Sequence, residues 1–124
     1  MIVIDSNIAL DFFRDVSPAA DVLSDLISRS ETALTAISVF ELYSVVRGTK
    51  RLRQIEVLAQ GLFIFPWNTI EAGTAGRIYT ELKAREKMIG TRDILIAGIC
   101  VANDLPLFTK NLAHVSCVED LRLL

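Results

Sequence analysis

The chain has 124 residues, 52% of them apolar, and 13 Lys and Arg against 15 Asp and Glu give a formal net charge of -2. That length predicts a single domain over residues 1–124, able to bury about two thirds of its unfolded surface. No apolar run reaches the roughly 18 residues of a membrane span, and the amino end lacks the basic start and small-residue cleavage site of a secretory signal, so a cytoplasmic protein is expected. The charge argues against a generally basic nucleic-acid binder and leaves room for a local basic patch. Cys100 and Cys117 lack metal-ligand spacing and read as buried, reduced core residues. The single His114 reads as structural, and with so few soft ligands no zinc site is expected.

The elements alternate. Residues 1–4, MIVI, are apolar on both faces, as a strand in the middle of a parallel sheet would be, and they run into Asp5, Ser6 and Asn7. Ile8 to Phe13 suits a short helix. Ser17 and Pro18 signal the start of another, with Val22, Leu23, Leu26 and Ile27 on one apolar face. Leu34 to Ile37 reads as the second strand, and Ser38 as the opening of a helix up to Gly48. A helix from Lys50 to Ala59 carries Lys50, Arg51 and Arg53 at its start, where positive charge opposes the helix dipole. A solvated helix face is the bland account of that cluster.

Leu62 to Phe65 is the third strand, closed by Pro66. Asn68 or Thr69 caps a long helix from Ile70 to about Lys87, in which Gly73 and Gly76 suggest close approach of another helix. Thr91 caps an apolar helix, Ile94 to Ala102. Leu107 to Thr109 is a fourth strand, and Val115 to Val118 a short fifth. This order predicts an α/β fold with a parallel sheet of four to five strands, right-handed crossovers and helices on both faces.

Three carboxylates gain meaning on that outline. Asp5 ends the first strand, Glu41 falls in the first turn of the helix after the second, and Asp93 falls in the first turn of the helix before the fourth. Strand ends and the starts of following helices share one side of a parallel sheet, the side where open α/β folds bind ligands. Each residue also has a structural account: Asp5 in a turn, Glu41 in a capping box with Ser38, Asp93 at the positive end of its helix. Together they would repel unless a cation or raised pKa values relieved them. Hard oxygen ligands favour Mg²⁺ or Mn²⁺, and such a site suits phosphodiester hydrolysis. Thr109 and Asn111 could hold metal-bound water or merely form a turn, and Lys110 or Arg92 could contact a phosphate.

MIVIDSN, SVFELYSVVRG and GTRDILIAGICVANDLPLFTKN, in this order and spacing, resemble the PIN-domain ribonucleases of the VapC toxin type over essentially the whole chain. The resemblance implies a three-layer α/β/α sandwich and Mg²⁺- or Mn²⁺-dependent endoribonuclease activity. It further implies a homodimer neutralised by a VapB-like antitoxin whose carboxyl tail blocks the site. Asp5, Glu41 and Asp93 match the family's acidic residues, and Asn111 stands where many members carry a fourth acid. An amide there supplies no full charge, which leaves one or two metal ions open. Asn7, Arg92, Lys110, Arg47 and Lys50 are candidate RNA contacts. Gly73, Gly76, Tyr79 and Tyr43 are candidates for the dimer face, and Phe12, Phe13 and the helix from Pro18 for the antitoxin groove. The rival readings are a PIN-like binding module without catalysis and a phosphoacceptor receiver domain. The receiver would need paired acids after the first strand, where Ser6 follows Asp5.

Overall fold

The computed structural model describes residues 1–124. In chain order the elements are β1 (Ile2–Ile4), α1 (Ser6–Phe13), α2 (Ala19–Ser28), β2 (Thr32–Thr35), α3 (Ala36–Val45), α4 (Thr49–Gly61), β3 (Phe63–Phe65), α5 (Thr69–Ala84), α6 (Thr91–Ala102), β4 (Leu107–Phe108) and α7 (Leu112–Val115). The four strands pair in parallel in the order β3-β2-β1-β4, so β1 is central.

Side-chain alternation along these short strands builds the three layers. Val3 and Leu107 point into one core with Ala75, Ile78 and Leu82 of α5 and Ile94, Ala97 and Cys100 of α6. Ile4 and Leu34 point the other way, against Ile8 of α1, Leu23 of α2, Leu42 of α3 and Ile55 of α4. At full burial each of the Val, Leu and Ile side chains among them contributes about 1.5–3 kcal/mol. Both sheet faces are therefore covered, as the apolar strands require.

Several boundaries move. The second strand spans Thr32–Thr35 rather than Leu34 to Ile37, because the Thr35 hydroxyl accepts the Ser38 amide at 3.0 Å and starts the helix there. Ser38 is thus inside α3, and the expected capping box between Ser38 and Glu41 does not form; Glu41 is the sixth helical residue, in the second turn. Ser17 does not cap its helix; its hydroxyl donates to Asp21 at 2.8 Å, and Pro18 is the cap residue. Gly90, not Thr91, precedes α6, which places Asp93 third in that helix. The long helix ends at Ala84, since Glu86 takes a left-handed φ of 54°.

The expected fifth strand, Val115 to Val118, does not form: Val115 ends the short helix α7 and residues 116–117 follow it as a turn, so the sheet gains only an isolated bridge between Leu107 and Leu123. The glycine expectation also fails. A Cβ on Gly73 or Gly76 would meet nothing within 4 Å, whereas one on Gly98 would stand 2.6 Å from the Ala75 Cβ. The close approach of α5 and α6 is made on α6. Cys100 is buried as expected, and burial pushes its thiol pKa up to about 12, while Cys117 is only half-buried. Arg51 of the basic cluster donates to the Phe13 carbonyl at 2.7 Å, so its charge serves the negative end of α1.

Candidate active site

Asp5 leaves the sheet between two partners. Its Oδ1 accepts the Ser6 amide at 2.7 Å and so caps α1, and its Oδ2 accepts the Thr109 hydroxyl at 2.7 Å. Thr109, buried just beyond β4, accepts in turn from the Asn111 amide at 3.0 Å and from Asn7 Nδ2 at 3.4 Å. The turn reading of Thr109 and Asn111 and the functional reading thus coexist, because one hydroxyl closes the turn and fixes the Asp5 carboxylate.

Glu41 and Asp93 reach the same place from α3 and α6. Asp5, Asn7, Glu41, Arg92, Asp93 and Asn111 line one pocket of about 210 Å³. Burial raises the pKa of Asp93 above the usual carboxylate value, the Asp5 charge raises it further, and His114 and Arg92 pull it back. The His114 Nδ1 stands 3.5 Å from Asp93 Oδ2. Sequence reasoning missed this contact, because it placed His114 in no element, whereas His114 lies in the short helix Leu112–Val115 that follows β4. Glu41 Oε2 pairs with the Arg92 guanidinium, and its Oε1 is buried without any hydrogen-bond partner.

That orphaned oxygen tests whether a metal suits the pocket. A buried acceptor with no donor is costly, and a cation is one thing that satisfies it. No three Asp, Glu, His or Cys side chains stand close enough to enclose an ion by themselves, and Glu41 is directed at Arg92. The donor set of hard oxygens fits a magnesium-like ion that keeps several waters.

The remaining candidates lie around the rim. Lys110 Nζ is held by the largely buried Asp11 at 2.8 Å, outside the pocket lining. Arg47, with Arg14 and Arg51, lines an adjoining hollow of about 330 Å³ that shares Leu10 and Val45 with the carboxylate pocket. Lys50 and Arg53 edge a separate apolar groove of about 410 Å³ containing Phe12, Phe13, Val57 and Leu58.

Comparison with known proteins adds to this geometry. The PIN domain family matches residues 2–115. Ribonuclease VapC10 of Mycobacterium tuberculosis is 29% identical over 122 residues, covering 98% of this chain and 91% of that protein. Ribonuclease VapC19 of the same organism is 29% identical over 126 residues, covering 98% of each. Among solved structures, VapBC2 from Rickettsia felis, bound to a DNA fragment from its promoter, superposes with a TM-score of 0.85 at 23% identity. That match covers 100% of this chain and 98% of that one, and it shows a shared fold.

Proposed function

The chain belongs to the PIN domain family, and from that premise we propose that it is a metal-dependent endoribonuclease, the toxin of a VapBC-type pair, cutting RNA at the pocket of Asp5, Glu41 and Asp93. The observation that carries this reading is the convergence of carboxylates from three distant segments on one pocket in which Glu41 Oε1 has no partner. Asp5, Glu41 and Asp93 would hold the Mg²⁺ or Mn²⁺. When bound, such an ion supplies a water of lowered pKa and offsets negative charge on the phosphoryl oxygens.

The chain's own groups do the rest. Thr109 holds Asp5 in one orientation by donating to Oδ2, which leaves the carboxylate charge directed at the pocket. The Arg92 guanidinium, more than half exposed at the mouth, can donate to a phosphate oxygen once it leaves Glu41. The Asn111 and Asn7 amides offer further donors without adding negative charge next to a polyanion. Arg47 and its neighbours Arg14 and Arg51 extend positive charge away from the pocket, and Lys50 and Lys110 lie further out.

A VapB-like antitoxin is the proposed partner, supported by the VapBC complexes among the structural relatives. The groove of Phe12, Phe13, Val57 and Leu58, edged by Lys50 and Arg53, offers an apolar floor and a basic rim to an amphipathic segment of that antitoxin. A homodimer that uses Gly73, Gly76 and Tyr79 of α5 and Tyr43 of α3 is proposed because both tyrosines are exposed and neither glycine meets a neighbour. A cytoplasmic location goes with this reading; no helix is long and apolar enough to cross a membrane.

The test is cleavage of single-stranded RNA, and of structured RNA with an exposed single-stranded loop, by the purified protein with Mn²⁺ or Mg²⁺. Activity should vanish in EDTA and in Asp5→Asn. Unchanged cleavage in either Asp5→Asn or Asp93→Asn would refute the assignment.

A further inference from the structure

The carboxylate pocket is not the largest cavity. Beside it lies one of about 630 Å³, formed by the loop of Lys87, Met88, Ile89 and Gly90 and by His114 and Cys117 from the segment that follows β4. That is ample for one nucleotide, within the usual range for small-ligand sites. The Cys117 thiol ties the two walls, donating to the His114 carbonyl at 3.1 Å and lying 3.8 Å from the Lys87 carbonyl.

Asp93 stands at the partition between the two spaces. Its Oδ2 is 3.5 Å from His114 Nδ1 and 3.8 Å from where a Cβ on Gly90 would be, and both residues line the larger cavity. The two chambers have opposite character. Three carboxylates line the smaller one, whereas no carboxylate lines the larger, whose fully charged side chain is Lys87. Met88 is exposed and, with Ile89, supplies an apolar surface. A polyanion repelled by the carboxylates could be held here by a cation, with a flat apolar group against Met88.

We propose that this cavity is a subsite for the nucleotide next to the scissile phosphate of single-stranded RNA, with its phosphate at Lys87, its base against Met88 and Ile89, and His114 between it and Asp93. The inference rests on the ribonuclease reading and adds where the strand lies. Single-stranded RNA suits it because an unstacked base is free to enter a recess, while a paired one is not.

Two readouts test it together. The first is the steady-state cleavage of a single-stranded RNA by Lys87→Glu, a surface variant whose folding is checked by its Tm. KM should rise by at least about tenfold, the low end for losing one hydrogen bond to a charged group before the reversed charge is counted, at nearly unchanged kcat and unchanged Mn²⁺ affinity. The second is alkylation of Cys117 by iodoacetamide, followed by mass spectrometry in Asp5→Asn with Mn²⁺ present. A mixed-sequence 12-nucleotide RNA should slow that reaction, and Lys87→Glu should abolish the protection; fully buried Cys100 is the silent reference.

An unchanged KM overturns the subsite and leaves the nuclease reading intact. A raised KM without protection at Cys117 overturns it too, because Lys87 would then act from outside the cavity. Wild-type protein that cleaves no RNA removes the parent reading and the subsite with it.

Discussion

Replacing Gly98 by alanine probes the contact that sets α6, and with it Asp93, against the rest of the molecule. The new Cβ would lie 2.6 Å from the Ala75 Cβ and 3.0 Å from the Ala75 Cα and N. Carbon atoms in good contact sit about 3.5–4 Å apart, so the two helices have to separate by about 1 Å. Backbone atoms cannot swing aside as a side-chain tip does. The helices share a close-packed core of Ala75, Ile78, Leu82, Ile94 and Ala97, where overpacking costs about 1–3 kcal/mol. Contact with backbone atoms puts this case in the upper half of that range, about 2–3 kcal/mol. Alanine's better helix propensity returns about 0.5–1 kcal/mol, leaving a net loss of about 1–2.5 kcal/mol and a Tm lower by about 3–12 °C at this size. Gly73→Ala and Gly76→Ala meet nothing and should gain about 0.5–1 kcal/mol each. Thermal unfolding followed by circular dichroism over a dilution series reads all three, and any effect through a second copy appears as concentration dependence. A Gly98→Ala protein as stable as the parent would refute the α5–α6 packing described above.

Asp5→Asn and Asp93→Asn should abolish RNA cleavage while leaving the fold intact. For Asp93 the pH dependence has a definite sign: its folded-state pKa is raised, so its contribution to stability is most favourable below the unfolded value of 3.8 and is lost as pH rises through the folded value. In EDTA, Asp93→Asn should therefore be more stable than the parent at pH 7, with the difference closing as pH falls below that value; urea titrations at the two pH extremes check this, and no gain at pH 7 counts against it. Thr109→Val removes the donor to Asp5 Oδ2 without changing shape, and should cost about 1–3 kcal/mol and weaken Mn²⁺ binding by calorimetry. Arg92→Gln takes away the cation paired with Glu41, so Mn²⁺ should bind more tightly while KM for RNA rises; weaker Mn²⁺ binding would show that Arg92 does not compete for Glu41.

The parts of the fold visible in the sequence are those that depend on local pattern. The apolar run before Asp5, the Gly and Pro punctuation and the alternation of periods placed the parallel sheet and most helices. Glu41 was assigned to the right helix and the right edge of the sheet, yet in the wrong turn. Two hydroxyls at Thr35 and Ser38 could each have capped it, and the Ser38 amide, donating to the Thr35 hydroxyl, makes Thr35 the cap. Gly98 sits in a largely buried helix, where nothing local asks for glycine, so only the position of Ala75, 23 residues earlier, reveals why it lacks a side chain. The three carboxylates were legible because topology alone carries them to one edge. The Arg92–Glu41 and His114–Asp93 pairs were not, since both depend on rotamers, and the second also on a short helix, Leu112–Val115, that the sequence pattern does not mark.

The hydrogen bond between Asp5 and Thr109 joins residues 104 positions apart, across the last pairing made in the sheet, β1 with β4. At ordinary synthesis rates of about 5–20 residues per second, a ribosome spends several seconds between making these two residues. During that interval β1 presents an open edge and Asp5 lacks the hydroxyl that orients it. A growing chain thus lacks this bond for most of its translation, and a product cut short before Thr109 would never form it.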